Sequence, residues 1–155
     1  MARRATLQIS ECPVARTLEA IGDRWSLLII RDAFDEVRRF SEFQKSLGLA
    51  KNILASRLKA LVELGIFDIR PASDGSAYSE YVLTARGRSV FPVVVAMRQW
   101  GEQHLFNAGE THSVLLDNDL DQPVGTLEVR SAQGKLLGPE DCHRRRVTKH
   151  PLVGG

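Results

Sequence analysis

The chain has 155 residues, of which 43% are hydrophobic and 26% are charged, and its formal net charge at pH 7 is +2. This length and composition fit one ordinary globular domain with a short extension, and they exclude a disordered chain. The longest apolar runs, residues 27–30 and 93–97, are far shorter than the ~20 residues of a membrane helix. No apolar run follows the N-terminal arginines and the two cysteines form no disulfide framework, so we expect no secretory signal and a cytoplasmic protein.

The positive charge is concentrated in one part of the chain. Residues 38–59 contain six lysines and arginines against one glutamate, whereas segments 1–37, 60–106 and 107–155 each have one more acid than base. A basic block inside a folded region is typical of a nucleic-acid surface, although a solvated helical face has the same composition.

Two helices are predicted before the basic block. Cys12-Pro13 begins the first, because proline is favoured at the first helical position, and Gly22 ends it. Asp23 is placed to cap the second helix. Residues 37–40 are short and basic, and we assign them to a small edge strand.

Two further helices are predicted within the basic block. Ser41 and Gln44 have the spacing of a capping box and begin a short helix that stops at Gly48. A longer helix follows over residues 50–64 and ends at Gly65. Its apolar stripe consists of Leu54, Leu58, Leu61 and Val62.

The pattern then changes to that of strands. Residues 66–70 and 78–83 favour strands, and the link between them contains Pro, Asp and Gly, which predicts a hairpin with a long tip. Thr84 caps a last long helix over residues 85–106, and we expect Pro92 to kink it.

Beyond residue 106 the sequence predicts a small extension. Residues 124–130 and 135–137 flank a turn and favour a second hairpin, and residues 143–155 are expected to be loose. We therefore divide the chain into a main domain, residues 1–106, and a C-terminal β-hairpin extension, residues 107–155.

The order of these elements predicts a winged helix-turn-helix, a mainly α fold with a small β-hairpin wing. If the leucine stripe of the long helix faces the core, Asn52, Ser56 and Lys59 lie on the opposite face, where such side chains bond to base edges and phosphates. Lys51 and Arg57 flank that face and are better placed for phosphates. The candidate DNA-binding residues are Arg38, Arg39, Ser41, Lys51, Asn52, Ala55, Ser56, Arg57, Lys59, Ser73, Asp74, Gly75 and Ser76.

The sequence also resembles a known family, the HxlR-type regulators, a branch of the MarR-like winged-helix proteins. The resemblance covers residues 12–101 and is carried by Cys12-Pro13-Val14, by residues 21–25 (IGDRW), 28–31 (LIIR), 39–43 (RFSEF), 54–61 (LASRLKAL), 65–66 (GI) and 81–87 (YVLTARG), and by Trp100-Gly101. It implies a sequence-specific transcription regulator, a repressor by default, that acts as a homodimer on a double-stranded, roughly palindromic operator. The first and last helices would then pack across the two-fold axis. The chain departs from many relatives at Ala50, where they have a capping serine.

The resemblance raises two questions about effectors. In several relatives a cysteine equivalent to Cys12 senses oxidants or electrophiles. The position of Cys12 at a helix N-terminus favours the reactive thiolate. The alternative is that Cys12 is a half-buried capping residue without redox function. Trp25, Phe40, Phe43 and Trp100 either line a pocket for a small-molecule effector or are core residues.

The C-terminal hairpin is related to a zinc-binding pattern. Longer relatives carry a zinc-knuckle-like Val-Cys-x-x-Cys-Gly hairpin, and Val129 to Gly134 lies in that frame with Arg130 and Gln133 at the cysteine positions. Because a structural zinc site needs four spaced ligands, we predict no metal, and we predict no other cofactor.

Two alternatives to a DNA-binding regulator stay open. The first is a winged-helix interaction module whose basic block meets an acidic protein. The second is an enzyme with Cys12 and a late histidine as a nucleophilic pair. Since the phosphate-binding and nucleophile motifs of enzymes are absent, we predict a protein that is not an enzyme.

Overall fold

Most helices and strands lie close to the positions that the hydrophobic periodicity of the sequence predicts. The computed structural model describes residues 10–147, and the chain divides into two units, one ending at Met97 and the other beginning at Arg98. The first unit contains α1 (Pro13–Ile21), α2 (Ser26–Phe34), α3 (Phe40–Leu47), α4 (Lys51–Glu63), β1 (Phe67–Pro71), β2 (Ser79–Leu83) and α5 (Ala85–Arg88). The last helix, α6 (Phe91–His104), includes residues of both units. This order confirms the predicted winged helix-turn-helix.

One hydrophobic core organises the first unit. Side chains from α2, α3, α4 and β1 are fully buried in it: Ile29, Ile30, Phe43, Leu54, Leu58, Leu61 and Phe67. The rings of Phe43 and Phe67 pack edge to face with centroids 6.2 Å apart. Burial of a leucine stabilises the fold by about 1.5–3 kcal/mol, so the three leucines of α4 hold one face of that helix inward. Val62, the fourth predicted member of the stripe, is only partly buried.

The starts of α1 and α2 agree with the sequence. Pro13 is the first residue of α1 and Cys12 is its N-cap. Asp23 Oδ2 accepts hydrogen bonds from the backbone N–H groups of Trp25 and Ser26, both at 3.0 Å. The N-cap residue of α2 is Trp25 rather than Asp23, but the Asp23 side chain accepts the N–H groups at the start of the helix, as a capping side chain does.

The prediction of an edge strand at residues 37–40 is wrong. Among the described residues only one backbone hydrogen bond joins this segment to the hairpin, from the Tyr81 N–H to the Arg38 carbonyl at 2.8 Å, and α3 already begins at Phe40. A single bond fixes too little backbone for a third strand, and the sheet consists of β1 and β2 alone within the described residues.

The predicted capping box at Ser41 and Gln44 is also wrong, because it begins two residues earlier. Glu42 Oε2 accepts the N–H groups of Arg38 and Arg39 at 3.1 and 3.0 Å, so the carboxylate that caps α3 belongs to Glu42, and Ser41 lies in the first turn. A charged carboxylate is a stronger acceptor than an amide, which favours Glu42 over Gln44.

The long helix predicted over residues 85–106 is interrupted rather than kinked. Thr84 caps α5, since its hydroxyl accepts the Gly87 N–H at 3.0 Å. The chain then turns at Ser89 and Val90 before α6 begins. Pro92 lies in the first turn of α6, where a missing N–H costs nothing, whereas in a continuous helix its ring would clash with the preceding turn.

The wing is an antiparallel hairpin. Phe67 of β1 pairs with Leu83 of β2, and the register runs out to Pro71 and Ser79. The tip between the strands, residues 72–78, contains Gly75 with a φ of +75°, a conformation that favours glycine. The two predicted strands are confirmed to within one residue at each end.

The second unit consists of the end of α6 and an extended chain. No described residue from Arg98 onward is buried. The side chain of Gln99 holds the extended segment, because Nε2 donates to the Gly125 carbonyl at 2.9 Å and Oε1 accepts the Leu127 N–H at 2.8 Å. A short 3₁₀ turn, Pro139–Asp141, follows near the end of the described chain.

The predicted C-terminal hairpin is present in a reduced form. The Leu137 N–H donates to the Val129 carbonyl at 2.9 Å and the Ser131 N–H to the Lys135 carbonyl at 2.8 Å, and Arg130 bridges to Leu136, but no regular strand forms among these described residues. At the position of a cysteine in the zinc pattern, the Arg130 guanidinium donates to the Gly134 carbonyl at 2.7 Å and pairs with Glu128.

Residues 1–9 and 148–155 lie outside the described residues, and the expectations about a signal segment and a loose end fall largely on them. In the part that is described, no helix combines the length and hydropathy needed to cross a bilayer. Likewise, residues 10–147 contain no cluster of His, Cys, Asp and Glu that is arranged to hold a metal ion.

Candidate nucleic-acid interface

The outer face of α4 presents polar side chains. Asn52, Ser56 and Lys59 are exposed, opposite the buried leucines, as is the small Ala55 between them. Residues at this spacing lie along one side of a helix, so a double helix that contacted α4 would meet all of them together. Their role in DNA binding stays a prediction.

A tight turn connects α3 to α4. Gly48 ends α3 with a φ of +64°, and Gln44 Nε2 donates to the Leu49 carbonyl at 3.2 Å, which fixes the turn. Ala50 is the N-cap of α4 and offers no side-chain hydrogen bond. The helix nevertheless begins at Lys51, which places Lys51 in its exposed first turn.

In the basic block, residues 38–59, the arginines form ion pairs with carboxylates, whereas the lysines form none with the described residues. Each arginine has a carboxylate partner: Arg38 with Glu80 at 3.8 Å, Arg39 with Asp74, and Arg57 with Asp23 at 3.5 Å. Within residues 10–147, Lys45, Lys51 and Lys59 have no carboxylate within ion-pairing distance, and all three are exposed. The lysines therefore carry the positive charge that no carboxylate of the described chain offsets.

The wing is tied to the start of α3 by Arg39. Its guanidinium donates to the Asp74 carboxylate and to the Ser76 hydroxyl at 3.4 Å, and it lies 5.9 Å from the centre of the Tyr78 ring. Hydrogen bonds from Ser76 and from Arg39 lower the pKa of Asp74 to about 2. Predicted residues of the wing tip and of the α3 start are thus brought together.

A second acid, Glu80 on β2, also forms hydrogen bonds within the wing. Its side chain is buried, and Oε1 accepts hydrogen bonds from the backbone N–H and the hydroxyl of Ser73 at 3.2 and 3.0 Å. Glu80 also pairs with Arg38. The Ser73 hydroxyl is therefore already engaged within the wing.

A cleft of about 490 Å³ separates the wing from the start of α3. Its lining combines one guanidinium with aromatic and hydroxyl side chains: Arg39, Phe40, Ser41, Tyr78, Ser79 and Tyr81. The predicted residues Arg39 and Ser41 both lie on this cleft.

Arg57 is less available for phosphates than predicted. It extends from α4 to Asp23, the residue that caps α2. Burial raises the pKa of Asp23, but the hydrogen bonds from Ser26 and Trp25, together with the Arg57 charge, outweigh burial and lower it. Arg57 therefore connects α4 to the scaffold.

The candidates for effector sensing are dispersed. Phe43 is fully buried, and Trp25 and Phe40 pack against the core, which favours the interpretation as core residues. Trp100, in contrast, is 59% exposed on α6. Cys12 is partly buried at the start of α1.

Sequence reasoning missed two residues of this surface, Tyr78 and Glu80. Tyr78 was expected to begin a strand, yet it lies in the tip beside Arg39. Glu80 occupies a buried position in β2 that the period of a strand would assign to an apolar residue. The excess of basic over acidic residues in the block, six against one, was the available indication that acids from other segments serve as partners.

The fold and this surface define a winged helix-turn-helix protein whose α4 has a polar, exposed outer face. The chain belongs to the HxlR-like helix-turn-helix family, whose model matches residues 20–108. This confirms the resemblance found in the sequence.

Relatives of this chain are transcriptional regulators and not enzymes. An uncharacterised HTH-type transcriptional regulator of Mycobacterium tuberculosis (strain CDC 1551 / Oshkosh) is 48% identical over 92 residues, which are 59% of this chain and 58% of that protein. The chain thus spans less than two thirds of that relative. The regulator YdeP of Bacillus subtilis (strain 168), also uncharacterised, is 32% identical over 94 residues, 60% of this chain and 73% of the relative.

Solved structures of transcription regulators are also similar to this chain. PA1607, a proposed transcription factor, is 53% identical, with a TM-score of 0.85 over 90% of this chain and 98% of that chain. The redox regulator HypR in its reduced form is 30% identical, with a TM-score of 0.55 over 61% of this chain and 94% of that chain.

Proposed function

We propose that this protein is a sequence-specific DNA-binding transcription regulator that acts in the cytoplasm as a homodimer on a pseudo-palindromic operator. The observation that carries the proposal is the outer face of α4, where Asn52, Ser56 and Lys59 project away from a leucine-lined core. Amide and hydroxyl side chains read base edges in the major groove, and the flanking lysines neutralise phosphates.

The wing completes the DNA surface. Arg39 and Ser41 at the start of α3 line the cleft, and the tip residues Asp74 and Ser76 contact Arg39, with Gly75 between them. In our proposal the DNA backbone passes over this region while α4 lies in the groove. Lys51 and Lys59 provide the main phosphate contacts, because the arginines have carboxylate partners.

Exposed apolar side chains support a homodimer. On α1, Val14 and Leu18 are spaced four residues apart and are both exposed, and on α6 Val93, Met97 and Trp100 form a second exposed stripe. Such stripes on a soluble domain mark protein interfaces. In a two-fold dimer the two α4 helices would be separated by one turn of DNA, about 34–36 Å. We assign dimerisation and DNA binding to residues 1–106, with residues 107–155 as a metal-free extension.

Repression is the proposed outcome, since a small dimer bound at an operator blocks polymerase without an activation surface. A redox response through Cys12 is a second proposal. It is supported by the position of Cys12 at the start of α1 and by similarity to the redox regulator HypR.

Selection from genomic DNA tests the proposed function. Purified protein is incubated at about 0.15 M salt with sheared DNA of its source organism, and the retained fragments are sequenced. Recovery of a few fragments that share an inverted repeat is expected. Retention of random fragments would contradict sequence specificity, and no retention in the presence of a reductant would favour the alternative, an interaction module for an acidic protein.

A further inference from the structure

The wing tip places a carboxylate where a DNA phosphate is expected. Asp74 is 56% exposed and contacts the guanidinium of Arg39, which is 28% exposed and lines the cleft. The second carboxylate oxygen, Oδ1, accepts the Ser76 N–H at 2.9 Å, which holds the acid in a turn and directs it toward Arg39. A carboxylate and a phosphodiester present the same pair of acceptor oxygens to the guanidinium.

Arg39 has fixed partners on several sides. Besides Asp74 it contacts the Ser76 hydroxyl and the Tyr78 ring, and the backbone around it is fixed because Glu42 accepts the Arg39 N–H at 3.0 Å. The guanidinium is therefore pre-positioned on the proposed DNA surface but already bears a negative partner.

We propose that Asp74 is an internal competitor of DNA: in the free protein its carboxylate holds Arg39, and a phosphodiester must displace it when DNA binds. This inference rests on the proposed function and adds an affinity-setting residue to it. Because the pKa of Asp74 is about 2, the competitor is charged at every physiological pH. The competition thus depends on salt and on the acid itself, and not on pH.

Asp74→Asn is the direct test. Asparagine keeps an oxygen that accepts the Ser76 N–H, so the turn is retained while the charge is removed. Asp68→Asn is the matched control, because Asp68 is an exposed acid on β1 of the same hairpin and pairs with Arg70 at 3.5 Å. Both substitutions remove one negative charge.

Binding is measured by fluorescence anisotropy with a labelled mixed-sequence duplex of about 25 base pairs, long enough for two half-sites one turn apart. Affinity is followed from about 50 to 200 mM salt, with thermal melts to verify folding. We expect Asp74→Asn to bind about three- to tenfold more tightly at 0.1 M salt than Asp68→Asn does, with a salt slope steeper by about one, as for one added phosphate contact. In an Arg39→Ala background this gain disappears.

The results that would contradict the competition differ from those that would contradict the proposed function. If Asp74→Asn binds no more tightly than Asp68→Asn, the competition does not exist, and if it binds more weakly, Asp74 positions Arg39 for DNA instead. If the wild type binds and only the gain is missing, this inference fails while the proposed function stands. If neither wild type nor variant binds any duplex at low salt, both fail, whereas binding by Asp74→Asn alone supports the competition.

Discussion

Asp23 is the residue whose replacement has the effect most directly calculable from its contacts. Its carboxylate accepts the N–H groups of Trp25 and Ser26, bonds the Ser26 hydroxyl, and pairs with Arg57 at 3.5 Å. Loss of a helix cap costs about 1 kcal/mol and up to about 2, and a partly exposed ion pair adds at most about 1. Asp23→Ala should therefore lower the free energy of unfolding by about 2 kcal/mol, or Tm by about 4–8 °C in a domain of this size.

Urea and thermal unfolding at one fixed protein concentration measure this loss, because a dimer's stability depends on concentration. The control is Asp35→Ala, an exposed aspartate at the other end of α2, with an expected change within about 0.5 kcal/mol. The pKa of Asp23 is lowered in the folded state, so its contribution is present above the unfolded pKa, near 3.9, and is lost as pH falls through the folded value. Equal destabilisation by the two variants at pH 7 would refute the reasoning.

Three further predictions concern packing, assembly and regulation. Gly87→Ala should lower the free energy of unfolding by about 1–3 kcal/mol in urea titrations, because its Cβ would lie 2.2 Å from the Ile66 carbonyl oxygen; an unchanged midpoint would contradict that packing. Leu18→Glu should halve the mass measured by sedimentation, since it charges the exposed stripe of α1; a persistent dimer would exclude α1 from the interface. Diamide should release wild-type protein and Cys142→Ser from DNA but not Cys12→Ser, and equal responses in anisotropy would remove the redox hypothesis.

The sequence predicted those parts of the fold that depend on local rules. The period of Leu54, Leu58 and Leu61 placed one face of α4 in the core and thereby identified the opposite face, and the glycines at 48 and 65 marked helix ends. These features are local because a helix repeats every 3.6 residues and a left-handed residue favours glycine.

Long-range pairing accounts for what the sequence did not predict. Arg39 and Asp74 are 35 residues apart, and nothing in either local pattern indicates their contact. The same holds for Glu80, whose burial depends on Ser73 and Arg38. The break before α6 was missed for another reason, because the helical periodicity of the sequence continues across Ser89 and Val90, whereas the helical backbone is interrupted there.

The central claim is that α4 contacts base edges while Lys51, which flanks its outer face, contacts phosphates. The ratio of the affinities for operator duplex and scrambled duplex tests this claim most directly. Asn52→Ala is compared with Lys51→Ala, its neighbour in the same exposed turn. Loss of a base contact should cost about 1–3 kcal/mol on the operator alone, so Asn52→Ala should lower the ratio roughly 5- to 150-fold. Lys51→Ala should weaken binding to both duplexes alike and reduce the salt slope by about one. An unchanged ratio for Asn52→Ala would contradict the account.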